Sequence, residues 1–258
     1  MKENLRFPVV LCHGFLTLGN LSWQRTKIFG YFRKVRKIFD RLNVKIYEPI
    51  VPGSDRVDKR AVKLHQFIKE KVKEERVHLV CHSMGGLDGR YLASKLDLDK
   101  RIVSLSTIST PHYGTPFADW CVEKIYRPQI NDILNTIGLT LEGIYDLTTE
   151  QATIFNQECK DSDSVKYFTF STAQDMKKTI PFLRFSHWII SRRLKDSPEN
   201  DGLVPEVSSH WSGFVKTLKA DHLGVLGYIA MPSAKKDFSA RSFYSELANL
   251  LADVEKVI

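Results

Sequence analysis

The segment from Val77 to Leu92, with the sequence VHLVCHSMGGLDGRYL, passes from the pattern of a buried strand to the pattern of a helix within a few residues. Its first part is the short, nearly continuous apolar run of a strand covered on both faces. From Met84 onward the apolar residues take helical spacing, and Gly85 and Gly86 lie at the junction. A strand that runs straight into a helix is typical of a parallel sheet, in which the crossovers usually contain helices. The segment therefore predicts an α/β fold.

The same alternation of strand and helix patterns extends over most of the 258 residues. The further strands are predicted in 7–12, 44–49, 102–109, 165–172 and 214–220. The further helices are predicted in 57–74 and 240–256. We therefore expect a single α/β domain, residues 1–258, with a mostly parallel central sheet and helices on both of its faces.

Two stretches, at about 117–164 and 176–199, are longer than the loops of a compact α/β domain. The first contains helical patterns around Val122–Ile137 and Thr149–Glu158 with no strand between them. Long connections of this kind commonly form lids or caps over a binding site. We predict that both stretches are lid or cap insertions.

The chain is basic, with a formal net charge of +8 and a pI near 9.2. Its Lys and Arg residues are interspersed with Asp and Glu and do not alternate with aromatic residues, so we expect no nucleic-acid partner. Attraction to anionic membrane surfaces fits this charge better. The densest basic segment, residues 23–42, has Ile28, Phe32, Val35 and Phe39 at helical spacing and is predicted to be a surface helix.

No apolar run reaches the length of about 18 residues that a membrane-spanning helix needs. The first residues lack the pattern of a signal peptide, so an intracellular location is favoured unless a leader has been removed. Cys12 and Cys81 end strand-like runs and are expected to be buried thiols. A disulfide between Cys121 and Cys159 would require an oxidising compartment. The four cysteines show no zinc-ligand spacing.

Ser83 lies just beyond the carboxyl end of the predicted strand, where ligands of α/β sheets bind. A serine on such a sharp turn exposes its hydroxyl, and the start of the helix directs free amide groups toward a developing oxyanion. The glycines that follow allow strand and helix to cross closely. In the pattern Gly-x-Ser-x-Gly, Gly85 is present and Cys81 replaces the first glycine. Ser83 is therefore the candidate nucleophile.

A serine nucleophile needs a base, because its hydroxyl hardly ionises near neutral pH. In folds that carry such a serine turn, an acid and then a histidine follow the serine along the chain. The histidines downstream of Ser83 are His112, His187, His210 and His222. His222 follows the strand predicted at 214–220 and precedes the last helix, where a loop can bring its imidazole over the serine. It is the leading candidate, and His210 is expected to be a hydrogen-bonded loop residue.

The acid that orients the histidine is expected to come from a loop. Asp201, in the turn-forming sequence PENDGLVP, is favoured because Asn and Gly allow a turn that presents a side chain. Asp175, after the strand predicted at 165–172, and Asp196 remain alternatives. Asp221, next to His222, is expected to point elsewhere.

The backbone offers two candidate donors for the oxyanion. One is the amide of Phe15, after the strand-like sequence VVLCHGF, and the other is the amide of Met84, which follows the nucleophile. His13 is expected to hold the loop rather than to transfer protons.

Four separated blocks of the sequence resemble the triacylglycerol lipases of the α/β-hydrolase superfamily, in particular the bacterial true lipases and their intracellular eukaryotic relatives. The blocks are PVVLCHGF (8–15), VHLVCHSMGGLDGRYL (77–92), STPHYGTPFADW (109–120), and NDGLVPEVSSHWSG together with DHLG (200–224). The resemblance covers nearly the whole chain. It implies the α/β-hydrolase fold, with Ser83, Asp201 and His222 as nucleophile, acid and base, and with Phe15 and Met84 as the oxyanion donors.

Two positions depart from the family pattern. Secreted members carry a calcium-binding aspartate two residues after the catalytic histidine, but Gly224 is found here. We therefore expect no calcium site and no cofactor. The other departure is Cys81, which replaces a small residue of the serine turn.

The resemblance implies a lipid or fatty-acyl ester as substrate, cleaved through an acyl-enzyme. A thioesterase, a phospholipase or an acyltransferase would use the same three residues, and a non-catalytic binding protein is a further alternative. Segments 133–147 and 180–194 are rich in apolar residues, and the second also carries arginines. The first segment is predicted to line the underside of a lid. The second, together with the positive charge, predicts peripheral contact with an anionic membrane or a lipid droplet, and the alternative is an ordinary cap element that packs its apolar side inward. The candidates for the acyl site or the lid are Ile137, Leu141, Ile144, Phe182, Leu183 and Trp188.

Overall fold

The computed structural model of the chain describes residues 5–15, 30–124 and 142–258. Within these ranges the strands are β1 Val9–Cys12, β2 Ile46–Tyr47, β3 Val77–His82, β4 Ile102–Ile108, β5 Lys166–Thr172 and β6 Phe214–Leu218. The helices are α1 Arg33–Arg41, α2 Val57–Lys71, α3 Gly85–Tyr91, α4 Pro116–Lys124, α5 Glu142–Tyr145, α6 Thr149–Glu158, α7 Arg184–Arg193 and α8 Ala240–Glu255. Each strand lies within a segment that the sequence predicted.

The six strands form one sheet in the order β2-β1-β3-β4-β5-β6, and every pair of neighbours is parallel. The chain first moves from β1 to β2 and then returns past β1 to β3, after which it proceeds in one direction. The direction of winding therefore reverses between β1 and β3, and the crevice at the carboxyl ends of these two strands is where α/β sheets bind ligands. Ser83 directly follows β3.

Alternate residues of the strands face two separate cores. Val9 and Leu11 of β1 pack with α1 and α8 on one face, in a cluster that includes Phe39 and Leu247. Val10 and Cys12 pack with α2 on the other face, together with Leu64. This alternation follows from the two-residue period of a strand. It confirms the expectation of helices on both faces of a parallel sheet.

Some helices differ from the predicted pattern. The helix predicted from Met84 onward is α3 followed by a π-helical turn over Leu92–Leu96. In the basic segment, Phe32, Val35 and Phe39 are buried along α1, whereas Ile28 lies outside the described residues. Most of the pattern predicted at Val122–Ile137 also lies outside them.

All four cysteines are free and buried, so no disulfide joins Cys121 to Cys159 in this structure. Cys12 and Cys81 lie opposite each other on β1 and β3, within the core, as predicted for inert thiols. Among the helices of the described ranges, none is both long enough and apolar enough to span a membrane.

Candidate active site

Ser83 occupies a strained turn between β3 and α3. Its φ is +57°, in the left-handed region that residues with a side chain rarely adopt. The hydroxyl of Thr110 donates to the carbonyl oxygen of Ser83 at 2.9 Å and holds the turn from the side of β4. A Cβ on Gly86 would lie 2.1 Å from the Thr110 Oγ1, so this position accepts only glycine. The structure thus confirms the close crossing of strand and helix that the glycines predicted.

The loop after β1 lies directly against the serine. A Cβ on Gly14 would lie 2.6 Å from the Cβ of Ser83, which places the backbone that leads to Phe15 beside this serine. The side chains of Phe15 and Met84 belong to one apolar cluster with Val57 and Leu87. Their amide groups donate to no acceptor within residues 5–15, 30–124 and 142–258. Both amides are therefore available to an oxyanion.

His222 and Asp201 are joined as the sequence predicted. Nδ1 of His222 donates to Oδ2 of Asp201 at 2.8 Å, and the amide of His222 also donates to the Asp201 carbonyl oxygen at 2.9 Å. Both side chains are buried, with 4% and 0% exposure. Because Nδ1 carries the proton of this hydrogen bond, the lone pair of a neutral imidazole is on Nε2, where a base must present it.

The carboxylate of Asp201 accepts four hydrogen bonds. Its other donors are the Thr172 hydroxyl at 2.6 Å and the amides of Leu203 and Val204 at 2.9 and 2.8 Å. Burial raises the pKa of Asp201, but the adjacent His222 and these donors outweigh it, so the pKa is lower than usual. Asp201 is therefore ionised in the folded protein.

His222 lies close to the turn that carries Ser83. The ring of His222 packs on the ring of His82, the residue before Ser83, with 4.6 Å between ring centroids. Ser83 itself is 8% exposed, and in the described part of the chain its Oγ makes no hydrogen bond to His222. Hydrogen bonds between nucleophile and base are often long before substrate binds. The structure thus brings all three predicted residues to one end of the sheet.

The other downstream histidines are engaged elsewhere. His112 is buried between the Thr107 hydroxyl and Arg90, and its ring stacks on that of Trp211. His187 donates through Nε2 to the carbonyl oxygen of Gln174. His210 pairs with Glu206 at 2.7 Å, which confirms its prediction as a hydrogen-bonded loop residue.

The alternative acids do not reach His222. The side chain of Asp175 is 65% exposed, its nearest cation is Lys178, and Asp196 is also exposed. Asp221 points away from the histidine, as expected. Its carboxylate accepts from the amides of Ile180, Leu223 and Gly224 and so ties the second insertion to the His222 loop.

A buried ion pair supports the loop after β1. Arg60 of α2 donates to both carboxylate oxygens of Asp88 in α3, at 2.8 to 3.1 Å, and both side chains are buried. The same guanidinium donates to the carbonyl oxygens of His13 at 2.8 Å and Gly14 at 3.4 Å. This pair was not predicted from the sequence. A signal was present, because Arg60 interrupts the apolar face of the predicted helix at 57–74.

His13 holds the same loop, as the sequence predicted. Its Nδ1 donates to the carbonyl oxygen of Gly14 at 2.9 Å, and its Nε2 accepts from the amide of Val51 at 3.3 Å. Burial, together with the charge of Arg60, lowers the pKa of His13 to about 4. This residue is therefore neutral and structural.

The candidate residues for an acyl site are distributed over both insertions. Ile144 is half-buried beside Gly143, whose backbone lies against the ring of Phe15. Phe182 and Trp188 are 66% and 45% exposed, whereas Leu183 is buried and packs against Gly202. Leu183 thus supports the loop that carries Asp201 rather than facing solvent. Ile137 and Leu141 lie outside the described residues.

No family model matches the chain. Triacylglycerol lipase 2 of Saccharomyces cerevisiae is 33% identical over 208 residues, which span 77% of this chain and 62% of the yeast protein. Triacylglycerol lipase of Pseudomonas fragi is 21% identical over 277 aligned positions, covering 90% of this chain and 92% of that protein.

The crystal structure of Staphylococcus hyicus lipase superposes with a TM-score of 0.75 at 21% identity and covers 99% of both chains. At this identity the superposition establishes the fold. The chain spans about 62% of the length of its yeast relative, so it corresponds to only part of that protein. By structure the chain has the α/β-hydrolase fold of lipases, and by sequence it is related to triacylglycerol lipases.

Proposed function

We propose that this protein is a serine carboxylester hydrolase, and more specifically a triacylglycerol lipase. The observation that carries the proposal is the buried His222–Asp201 pair beside the strained turn of Ser83. Such an arrangement suits acyl transfer through a covalent intermediate. The names of the yeast and Pseudomonas fragi relatives support the finer assignment.

In the proposed mechanism, Ser83 attacks the acyl carbonyl while Nε2 of His222 takes its proton. Asp201 holds the imidazole through Nδ1 and stabilises the imidazolium that forms. The amides of Phe15 and Met84 stabilise the oxyanion of the tetrahedral intermediate. His222 then protonates the leaving alcohol. In the second half of the reaction His222 takes a proton from water, which attacks the acyl-enzyme, and returns that proton to Ser83 as the fatty acid leaves.

A fluorophosphonate probe tests the chemistry directly. The wild type should be labelled, whereas Ser83→Ala should not be labelled and should have no esterase activity. Absence of labelling in the wild type would favour the non-catalytic alternative. Hydrolysis of emulsified triacylglycerol, compared with acyl-CoA and phospholipid, separates a lipase from a thioesterase or a phospholipase. A preference for short soluble 4-nitrophenyl esters would reduce the assignment to an esterase.

We also propose that no calcium ion is required. Gly224 offers no carboxylate at the position where secreted relatives of this type carry an aspartate. The nearby carboxylate of Asp221 is already bound by three backbone amides. Treatment with EDTA should leave the hydrolytic rate unchanged, and a loss of rate that calcium restores would overturn this proposal.

A surface formed by both insertions is proposed to contact lipid. Phe182, Phe185 and Trp188 are 66%, 54% and 45% exposed, and the ring of Trp120 packs edge-on against Phe185. The guanidinium of Arg192 lies 5.0 Å from the centre of the Trp188 ring. Exposed aromatic rings next to a cation suit the boundary between headgroups and acyl chains of an anionic membrane or a lipid droplet.

Vesicles rich in phosphatidylserine at low salt test this contact. The double variant Phe182→Ser/Trp188→Ser should bind them more weakly than the wild type. Leu98→Ser is the matched control, because Leu98 is 88% exposed and lies between α3 and β4. Equal binding by all three proteins would refute this surface.

A further inference from the structure

His82, the residue before the proposed nucleophile, is fully buried and uses both of its ring nitrogens. Its Nε2 lies 3.0 Å from the carbonyl oxygen of His222. Its Nδ1 lies 2.5 Å from the hydroxyl of Tyr31. The same hydroxyl accepts a hydrogen bond from the amide of Gly14 at 3.4 Å. The mechanism proposed above gives none of these groups a role.

The chemistry of the partners fixes where the protons are. A carbonyl oxygen can only accept, so Nε2 of His82 carries a hydrogen and donates to His222. A neutral imidazole then has a lone pair on Nδ1, and the Tyr31 hydroxyl must donate to it. The tyrosine oxygen remains free to accept from Gly14. The three hydrogen bonds therefore point in one direction: Gly14 donates to Tyr31, Tyr31 donates to His82, and His82 donates to His222.

The side chains of His82 and Tyr31 are both held in their neutral forms. Burial, followed by the nearby His222, lowers the pKa of His82 well below its usual value. Burial raises the pKa of Tyr31, so its hydroxyl keeps its proton. A charged His82 would repel the imidazolium of His222, because the two rings are 4.6 Å apart. A neutral His82 avoids this repulsion in the step that forms the imidazolium of His222.

We propose that His82 and Tyr31 are positioning residues that fix the loop of the base, at His222, relative to the oxyanion loop, at Gly14. The inference rests on the proposed function, because it assigns a role in the same reaction. Gly14 contacts Ser83 directly, so the link connects the base, the nucleophile and the loop of one oxyanion donor. Misplacement of such groups by about 1 Å can slow a reaction a hundredfold.

The variants separate hydrogen bonding from packing. Tyr31→Phe removes only the hydroxyl, and His82→Phe keeps a ring without nitrogens. His82→Gln restores a donor near the position of Nε2. Tyr47→Phe is the matched control, because Tyr47 lies on β2 and its hydroxyl donates to Glu74 at 2.9 Å rather than to a site residue.

The measurements are kcat and KM on a soluble 4-nitrophenyl ester, with thermal unfolding to verify that each variant is folded. Tyr31→Phe and His82→Phe should each lower kcat about ten- to hundredfold and leave KM within about twofold. The double variant should be no slower than His82→Phe alone, because both changes break one link. His82→Gln should recover part of kcat, and Tyr47→Phe should match the wild type.

Two outcomes would overturn the inference: full activity of His82→Phe, or losses that multiply in the double variant. If the variants do not fold, ¹⁵N NMR of the wild type decides. The spectrum should show His82 as the neutral Nε2–H tautomer, and a protonated or Nδ1–H ring would refute the link. A wild type that neither reacts with fluorophosphonate nor hydrolyses esters would instead refute the proposed function.

Discussion

At the scale of single residues, the site depends on the hydrogen bonds that the carboxylate of Asp201 accepts. Two backbone amides, one hydroxyl and the imidazole of His222 donate to its two oxygens. Each donor stabilises the ionised carboxylate, which lowers its pKa against the effect of burial. The carboxylate can therefore keep the His222 Nδ1–H in place while a positive charge forms on the ring.

The first prediction concerns this carboxylate. Asp201→Asn should lower kcat by about 10⁴ and leave a small residual rate, because an amide at this position favours the wrong tautomer of the histidine. Initial rates on a soluble ester measure the effect. The thermal stability should also fall, because an amide nitrogen would face donors that now bind a carboxylate oxygen.

Two exposed aspartates provide controls for this prediction. Asp175→Asn and Asp196→Asn should retain the wild-type rate, because neither carboxylate contacts His222. A large loss in Asp175→Asn with normal activity of Asp201→Asn would reassign the acid.

The sequence could identify some of these residues but not others. Ser83 and His222 have local signals, since each follows a predicted strand. Asp201 could be ranked above Asp175 and Asp196 only by its turn sequence, because the choice depends on where a loop folds back. The roles of Thr172 and Tyr31 depend on contacts between distant segments, and nothing in their local sequence indicates them.

At the scale of elements, the Arg60–Asp88 pair joins α2 to α3 and both helices to the loop after β1. The guanidinium of Arg60 donates some of its hydrogen bonds to Asp88 and the others to carbonyl oxygens, including that of His13. A guanidinium has enough donors for such a junction, whereas an ammonium has fewer and lacks the planar geometry. The position of the loop after β1 therefore depends on a residue of α2.

The second prediction follows from this junction. Arg60→Met should lower the free energy of unfolding by about 3–5 kcal/mol, because it leaves the carboxylate of Asp88 buried without a cation. It should also lower kcat, because the carbonyls of His13 and Gly14 lose their donor. Urea unfolding and initial rates measure the two effects. Lys59→Met is the control, since its exposed pair with Glu142 is worth at most about 1 kcal/mol.

A second variant separates stability from function at the same junction. Arg60→Met/Asp88→Leu removes the unpaired charge and should regain part of the stability. The value of kcat should stay low, because the loop after β1 still lacks its support. Recovery of both quantities would show that the pair matters for folding alone.

The elements themselves were largely predictable. Each strand lies inside its predicted segment because a parallel strand covered on both faces is apolar along its whole length, a pattern that is local in sequence. The π-helical turn at Leu92–Leu96 was not predicted, because helical periodicity does not distinguish a widened turn from a regular one. Buried charges such as Arg60 were also missed, since their partners come from other elements.

At the scale of the whole molecule, three buried histidines follow adjacent strands of the sheet. His13 follows β1, His82 ends β3, and His112 follows β4. Burial is the main cause that lowers the pKa of each one, to about 4 for His13 and well below the usual value for the other two. The charges of Arg60, His222 and Arg90 respectively act in the same direction. All three histidines are therefore neutral in the folded protein near neutral pH.

The sign of the pH dependence follows from these shifts. In the unfolded chain each histidine has a pKa near 6.5, so it takes up a proton as the pH falls below that value. The folded protein does not, so the unfolded state binds more protons and the free energy of unfolding decreases. The contribution is fully present above about pH 7 and is lost toward the folded pKa, about 4 for His13. Asp201, whose pKa is lowered, adds a further loss only below its ordinary value of 3.8.

The third prediction is therefore an acid-sensitive fold. Between pH 7 and pH 5 His13 alone should remove about 2 kcal/mol from the free energy of unfolding, and His82 and His112 should each add a loss of the same sign. His112→Asn should reduce the change of the free energy of unfolding with pH by the contribution of one histidine.

Asn156→Ala is the control, because Asn156 donates to the His112 carbonyl oxygen and does not titrate. It should lower the stability equally at every pH. Urea unfolding at pH 7, 6 and 5 measures these slopes. An equal slope in His112→Asn and in the wild type would mean that His112 is protonated in the fold.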